Sequence, residues 1–94
     1  MFELVFSKKA NQTFDLTQKQ ILNKWGEISV KKFDKRVFEV LQLLAESPLI
    51  YKAVEDYPNV RKAAIHRNCA LYYKVSKNRV IILFFWDNRQ EPIL

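Results

Sequence analysis

Residues 70–92 read ALYYKVSKNRVIILFFWDNRQEP, and this stretch decides the fold of the chain. Leu71, Tyr73 and Val75 alternate with Tyr72 and Lys74, which is the period of two that a half-buried strand requires. The SKN of residues 76–78 predicts a tight turn. Residues 80–86 are apolar on both faces, so this strand is expected in the centre of a sheet. The stretch therefore predicts a β-hairpin with a central second strand.

Two further strands are predicted upstream of this hairpin. Residues 60–67 alternate with a period of two, and residues 2–6 form a short apolar run. Residues 49–59 lie before the alternating strand and form the longest irregular stretch, closed by Pro58.

Helical periodicity fills the sequence between the first strand and Pro48. The first pattern begins at Lys8 and ends with Lys24 in the last turn before Gly26, the only glycine of the chain. Trp25 is predicted to fill the core at the joint. Ser29 is predicted as the N-cap of the second helix. The apolar positions that recur at helical spacing are Ala10, Phe14, Ile21, Leu22 and Trp25, then Val30, Phe33, Val37, Leu41 and Leu44.

The predicted fold is α+β, with the order β-α-α-β-β-β and a helical hairpin packed on one face of a small, mostly antiparallel sheet. The chain of 94 residues is predicted to be a single domain over residues 1–94. If Leu71 and Tyr73 face the helices, Tyr72 and Lys74 lie on the opposite face of the sheet. Either Lys62 or Arg61 joins them, depending on the strand register. This uncovered face suits a polyanion with stackable bases or an extended acidic peptide.

The composition limits the possible partners. There are 16 basic and 10 acidic residues, a net charge of +6, which favours nucleic acid or an acidic protein segment. Cys69 is the sole cysteine, which excludes an intramolecular disulfide and a thiolate metal cluster. With one glycine, neither a P-loop nor a dinucleotide fingerprint is present. We expect no metal, no cofactor, no membrane contact and a cytoplasmic setting; the oligomeric state is not indicated.

The ending ALYYKV … RVIILFFWDNRQEP resembles that of the RelE/ParE toxin superfamily of bacterial type II toxin–antitoxin and plasmid stabilisation systems. Its closing D-x-R-x-x-P corresponds to Asp87, Arg89 and Pro92. The segment ILNKWGEIS, residues 21–29, resembles the joint between the two helices of that family, and residues 47–65 resemble the loop before its second strand. The resemblance implies a toxin that a cognate antitoxin binds and silences. RelE-like members cleave messenger RNA on the ribosome, ParE-like members inhibit DNA gyrase, and the fold does not choose between them.

Two departures favour the ParE-like assignment. No Tyr or His follows Tyr73, and the chain stops at Leu94, whereas RelE-type nucleases use such a residue near the C-terminus. The D-x-R-x-x-P ending is also more usual in ParE-like members. The predicted function is gyrase inhibition without catalysis. The first alternative is a RelE-like, ribosome-dependent endoribonuclease, and the second is a non-toxic homologue that acts only as a protein-binding module. The predicted antitoxin is acidic and partly disordered.

Candidate site residues follow from the chemistry of each alternative. Cleavage of RNA needs a proton acceptor, a proton donor and cations. His66, the only histidine, with Lys62 and Arg89 forms the catalytic candidate set of the RelE-like alternative, and Tyr72 could stack a base or donate a proton. The structural alternatives are a solvated His66, a core Tyr72, and an Arg89 paired with Asp87, Asp56 or Glu91. The predicted binding residues are Arg61, Arg67, Tyr72, Lys74, Arg79 and Arg89.

Overall fold

Two helices cover one face of a five-stranded sheet in the computed structural model, which describes residues 1–90 and 92. The strand order is β1-β5-β4-β3-β2; β1 runs parallel to β5 and the other pairs are antiparallel. This confirms the predicted α+β fold and adds one short strand. The elements are β1 (Glu3–Phe6), α1 (Lys8–Trp25), α2 (Glu27–Glu46), β2 (Ala53–Val54), β3 (Tyr57–His66), β4 (Cys69–Ser76) and β5 (Arg79–Asp87).

The predicted hairpin is formed by β4 and β5, and β5 lies in the interior of the sheet, between β1 and β4. Tyr72 pairs with Phe84 and Tyr73 with Ile82, so Leu83 is an extra residue in β5 at a β-bulge. Tyr73 and Ile82 are buried against the helices, and Tyr72 and Phe84 form a separate cluster on the other face. The bulge lets β5 place apolar side chains in both clusters.

Two side chains at the start of α1 close the edge of β5 where β1 has ended. The Ser7 hydroxyl donates to the Leu83 carbonyl at 2.6 Å and accepts from the Ala10 N–H at 2.9 Å, which makes Ser7 the N-cap of α1. The Thr13 hydroxyl accepts from the Phe85 N–H at 2.9 Å. The helix therefore satisfies backbone groups of β5 that no strand reaches.

Gly26 is the only residue between the two helices. Its φ of 92° and ψ of −177° lie in a region that is essentially restricted to glycine. Its N–H donates to the Leu22 carbonyl and its carbonyl accepts from Val30, so it ends α1 and begins α2. The predicted N-cap at Ser29 is wrong, because this conformation reverses the chain at once and α2 begins at Glu27.

The prediction that Trp25 fills the core is also wrong, since Trp25 is 66% exposed. Ala10, Phe14 and Ile21 do pack into the helix-covered core, as the periodicity predicted. Trp25 is the last residue of α1 and borders the turn between β3 and β4. The sheet ends there, so no layer covers the indole ring.

The stretch predicted as irregular contains β2 and the first residues of β3. Two arginines close this edge of the sheet. Arg61 donates to the Tyr51 carbonyl at 2.6 Å, and Arg36 of α2 donates to the carbonyls of Ile65 and Ala64 at 3.0 and 3.2 Å. In the part of the chain that the structure describes, no helix is long and apolar enough to cross a membrane.

Candidate functional site

Lys62 and Tyr72 lie opposite each other on the sheet face that points away from the helices. Lys62 pairs with Tyr72 across β3 and β4, and its ammonium lies 5.8 Å from the centre of the phenol ring. Arg61 pairs with Tyr73, which packs against the helices. Of the two registers left open by the sequence, the structure therefore has the one that places Lys62 beside Tyr72.

The centre of this face is an aromatic cluster, which we define as Tyr72, Phe84 and Trp86. Tyr72 and Phe84 stack with ring centres 4.9 Å apart, and Trp86 meets Phe84 edge-on at 5.8 Å. Lys9 of α1 places its ammonium 5.1 Å from the Phe84 ring. Cations at these distances are held by the negative faces of the rings.

Tyr72 is only 3% exposed, so the expectation of an uncovered Tyr72 on this face is wrong. Phe84 and Lys62 lie beside its ring, and Pro92 lines the same groove. A ring packed in this way has no open face on which a base could stack. What this region presents to a partner is its basic rim, with Lys62 and Lys74 both exposed.

His66 and Arg89 line one cleft of about 110 Å³ between the C-terminal end of α1 and the turn after β3. Lys24, Trp25 and Asp87 also line it. Lys62 and Tyr72 instead line a groove on the outer sheet face together with Pro92. The structure thus divides the catalytic candidates between two places.

The Arg89 guanidinium forms an ion pair with the Asp87 carboxylate. The Nη2–Oδ2 distance is 2.7 Å, the Nε atom donates to both carboxylate oxygens, and the Arg89 N–H donates to Oδ1 at 2.9 Å. These hydrogen bonds lower the pKa of Asp87 to about 2 and raise the pKa of Arg89. The pairing that the sequence allowed between Arg89 and Asp87 is confirmed. The carboxylate neutralises much of the charge that Arg89 would offer to a phosphate.

The Nδ1 atom of His66 is engaged by the turn between β3 and β4. Burial lowers its pKa, and the nearby Asp87 charge only partly opposes this effect. Its Nδ1 atom accepts a hydrogen bond from the Asn68 N–H at 3.1 Å. In a neutral ring with Nδ1 as the acceptor, Nε2 carries the proton. Only Nδ1 could then accept a proton, and in this structure Nδ1 holds the Asn68 N–H.

The remaining predicted binding residues are spread over the molecule. The Arg61 guanidinium donates a hydrogen bond to the Tyr51 carbonyl, which is a structural contact within the chain. Arg79 forms an ion pair with Glu3 at 3.3 Å, and both side chains are largely exposed. Lys74 is exposed opposite Ile81, and Arg67 is exposed just after β3. Exposed pairs such as Arg79 and Glu3 exchange readily with a partner, because they contribute little stability.

The sequence analysis did not predict that Lys9, in the first turn of α1, would lie beside the aromatic cluster. No local signal predicts it, because the contact depends on how α1 docks on β5. Among residues 1–90 and 92, no three His, Cys, Asp or Glu side chains are grouped so that they could hold a metal ion. Burial raises the pKa of the Cys69 thiol to about 12, so it is not a nucleophile at neutral pH.

The comparisons identify the class to which this fold and these residues belong. The family model described as ParE toxin of type II toxin-antitoxin system, parDE, matches residues 4–92. The chain therefore belongs to the ParE toxin family of type II toxin–antitoxin systems. A search of curated proteins finds no match.

Solved structures of toxins share the fold at low sequence identity. A chromosomal ParDE toxin–antitoxin system from P. aeruginosa matches with a TM-score of 0.76 and 18% identity, over 93% of this chain and 96% of that one. A YoeB/ParE toxin from Agrobacterium tumefaciens matches with a TM-score of 0.70 and 11% identity, over 92% and 98%. The DinJ-YafQ complex from E. coli matches with a TM-score of 0.69 and 14% identity, over 95% and 96%. At these identities the likeness concerns the fold.

Proposed function

We propose that this chain is a toxin that inhibits DNA gyrase by binding it, that it has no catalytic activity of its own, and that an acidic antitoxin neutralises it. The observation that carries the non-catalytic part is that His66 and Lys62 lie in different places on the molecule. His66 lines the cleft at the end of α1, where its Nδ1 atom accepts from the Asn68 N–H, and Lys62 lines a groove on the outer sheet face. Membership of the ParE family supports gyrase as the target.

The separation of the other candidates supports the same proposal. Lys62 and Tyr72 line a groove on the outer sheet face, whereas His66 and Arg89 line the cleft at the end of α1. A nuclease needs its proton acceptor and its cations around one phosphate, within hydrogen-bond reach. Arg89 is held by Asp87 in the cleft and does not lie beside Lys62.

The charge of the chain supports an acidic partner. A net charge of +6 on 94 residues attracts acidic protein segments over distances of about a Debye length, roughly 8–10 Å at physiological salt. Lys62 and Lys74 expose this charge on the outer sheet face. A partly disordered acidic antitoxin could fold onto such a surface and neutralise it.

The test uses purified gyrase and relaxed plasmid. Supercoiling should fall as the purified chain is added, and the loss should disappear when a stoichiometric antitoxin is present. Unchanged supercoiling at a large molar excess would reject gyrase as the target.

Primer extension on ribosome-bound message tests the RelE-like alternative in parallel. New breaks in the message that require the chain would replace the gyrase proposal with a ribosome-dependent endoribonuclease. No growth arrest on expression without an antitoxin would leave only the protein-binding alternative.

A further inference from the structure

Three lysines surround the aromatic cluster on the sheet face that points away from the helices. Lys62 of β3 lies opposite Tyr72, and Lys74 lies two residues further along β4 on the same face. Lys9 reaches this face from the first turn of α1, and its ammonium is 5.1 Å from the centre of the Phe84 ring. All three lysines are exposed, and we define them as the lysine triad.

The aromatic rings hold two of these ammonium groups in place. The Lys62 ammonium lies 5.8 Å from the Tyr72 ring centre, and the rings of Tyr72 and Phe84 are stacked at 4.9 Å. Lys9 lies beside Phe84 at the other end of this row, which therefore crosses from β3 over β4 and β5 to α1. Because cation–π attraction restricts both side chains before a ligand arrives, less conformational entropy is lost on binding.

The lysine triad keeps its charge. In the part of the chain that the structure describes, the ion pairs are formed by Arg79 and Arg89, not by these lysines. Glu55 lines the groove that contains Lys62, but Lys52 lines the same groove and offsets it. The outer sheet face is therefore a positively charged surface that favours a polyanion.

The packing of the aromatic cluster distinguishes between kinds of polyanion. Tyr72 and Phe84 are 3% and 6% exposed, so neither ring offers a free face to an unpaired base, which is how single strands are mainly held. Duplex DNA keeps its bases inside and presents one phosphate charge per about 1.7 Å of axis. An extended acidic peptide is less dense in charge, because side chains on one side of a strand lie about 7 Å apart. A duplex backbone therefore fits this face best.

We infer that the lysine triad is a binding surface for the phosphate backbone of double-stranded DNA. The lysines contact phosphates and not base edges, so binding does not depend on the base sequence. Gyrase acts on duplex DNA, and this surface lets the chain contact the DNA that its target enzyme holds. In that assignment the inference rests on the proposed function; the DNA contact itself is measured without gyrase.

Fluorescence anisotropy of a labelled duplex of about 20 base pairs measures the contact. Binding should weaken as salt rises, with a slope of log K against log salt of about −3, because each lysine of the triad displaces a counterion from one phosphate. Two duplexes of unrelated sequence should bind equally well. Single-stranded DNA of the same length should bind at least about fivefold more weakly, since its bases find no ring on which to stack.

Two double variants of equal charge locate the contact. Lys9→Gln/Lys74→Gln removes two members of the triad and leaves Lys62 in place, whereas Lys31→Gln/Lys35→Gln removes two exposed lysines of α2, on the helix-covered side. Each lowers the net charge of +6 by two. The triad variant should bind duplex at least about tenfold more weakly, with a salt slope less negative by about 2, and the α2 variant should lose less than about twofold. Loss of Lys62 alone removes one contact and should weaken binding only about threefold.

Amide chemical shifts of the isotopically labelled chain give a second measurement that needs no variant. Added duplex should shift the amides of Lys9, Lys62 and Lys74 and leave those of the exposed side of α2 unchanged. This measurement decides the matter if the triad variant does not fold.

Four results would overturn the inference. An equal loss in the two double variants would show that only the net charge matters, and tighter binding of single-stranded than of duplex DNA would assign the face to unpaired nucleic acid. Equally tight binding of a glutamate polymer of the same charge would assign it to an acidic protein segment. The fourth is unchanged anisotropy at low salt with the chain in large excess. None of these results bears on gyrase inhibition, and a failed supercoiling assay would leave the DNA contact intact.

Discussion

The hydroxyl of Thr13 accepts a hydrogen bond from the backbone N–H of Phe85, 72 residues later in the chain, at 2.9 Å. The same hydroxyl donates to the Lys9 carbonyl at 2.7 Å, so its orientation is set by its own helix. β1 has ended at this level of β5, and Thr13 takes the place of the missing strand. The Thr13 side chain therefore links α1 to the sheet and at the same time satisfies a backbone N–H of β5.

Replacing Thr13 with valine tests this contact. Thr13→Val keeps the shape but leaves the Phe85 N–H without its acceptor in a largely buried position, which should lower the free energy of unfolding by about 1–3 kcal/mol. Urea denaturation measures the change. Thr17→Val is the matched control, because the Thr17 hydroxyl donates to the Thr13 carbonyl of its own helix and not to the sheet. A similar loss in both variants would contradict the role of Thr13.

Gly26→Ala tests the helix joint. Apart from the residues adjoining Gly26, no atom of residues 1–90 and 92 lies within 4 Å of an added Cβ, so the cost comes from the backbone conformation. At φ 92° and ψ −177° we expect a loss of about 1–3 kcal/mol in the free energy of unfolding. Asn23→Ala, at an exposed position of α1, should change it by less than about 0.5 kcal/mol. An unchanged midpoint of urea denaturation for Gly26→Ala would show that the backbone at the joint adopts another conformation at little cost.

Alkaline pH should destabilise the chain in a defined window. Burial raises the pKa of Cys69 from 9.0 to about 12 and that of Tyr73 from 10.0 to about 12. Both groups ionise more easily in the unfolded chain, so the stability they contribute is complete below pH 9 and is lost as pH rises towards 12. Where one group is ionised only in the unfolded chain, the slope approaches about 1.4 kcal/mol per pH unit.

Denaturation curves at a series of pH values measure this loss. In Cys69→Ala, only Tyr73 remains, and the decline should begin nearer pH 10. An onset that stays at pH 9 in this variant would show that another group is responsible.

The predicted catalytic residues supply a functional test. If the chain acts by binding alone, His66→Gln and Lys62→Gln should each retain growth arrest in cells that lack the antitoxin. His66→Gln keeps a side-chain acceptor near Asn68 and removes a titrating group, so it separates chemistry from structure. Loss of arrest together with loss of message cleavage in both variants would instead support the RelE-like alternative.

Tyr72 and Trp25 show which parts of a side chain's environment the sequence predicts. Alternation placed Tyr72 on the face away from the helices, which the structure confirms. It did not predict that Phe84, Lys62 and Pro92 would surround the ring, because those neighbours come from other strands and from the end of the chain. For Trp25 the helical period pointed to the core, but whether a helix end is covered depends on where the sheet stops.

The sequence by itself determined the helices, the main strands and the position of the joint, because hydrophobic period and a lone glycine act over a few residues. It also determined the net positive charge, and it allowed Asp87 as one of three possible partners of Arg89, of which the structure has this one. Only the tertiary structure decided which of the predicted site residues lie close together. Lys62 reaches Tyr72, His66 shares a cleft with Arg89, and Thr13 completes β5 because register and helix docking are set by contacts between distant segments.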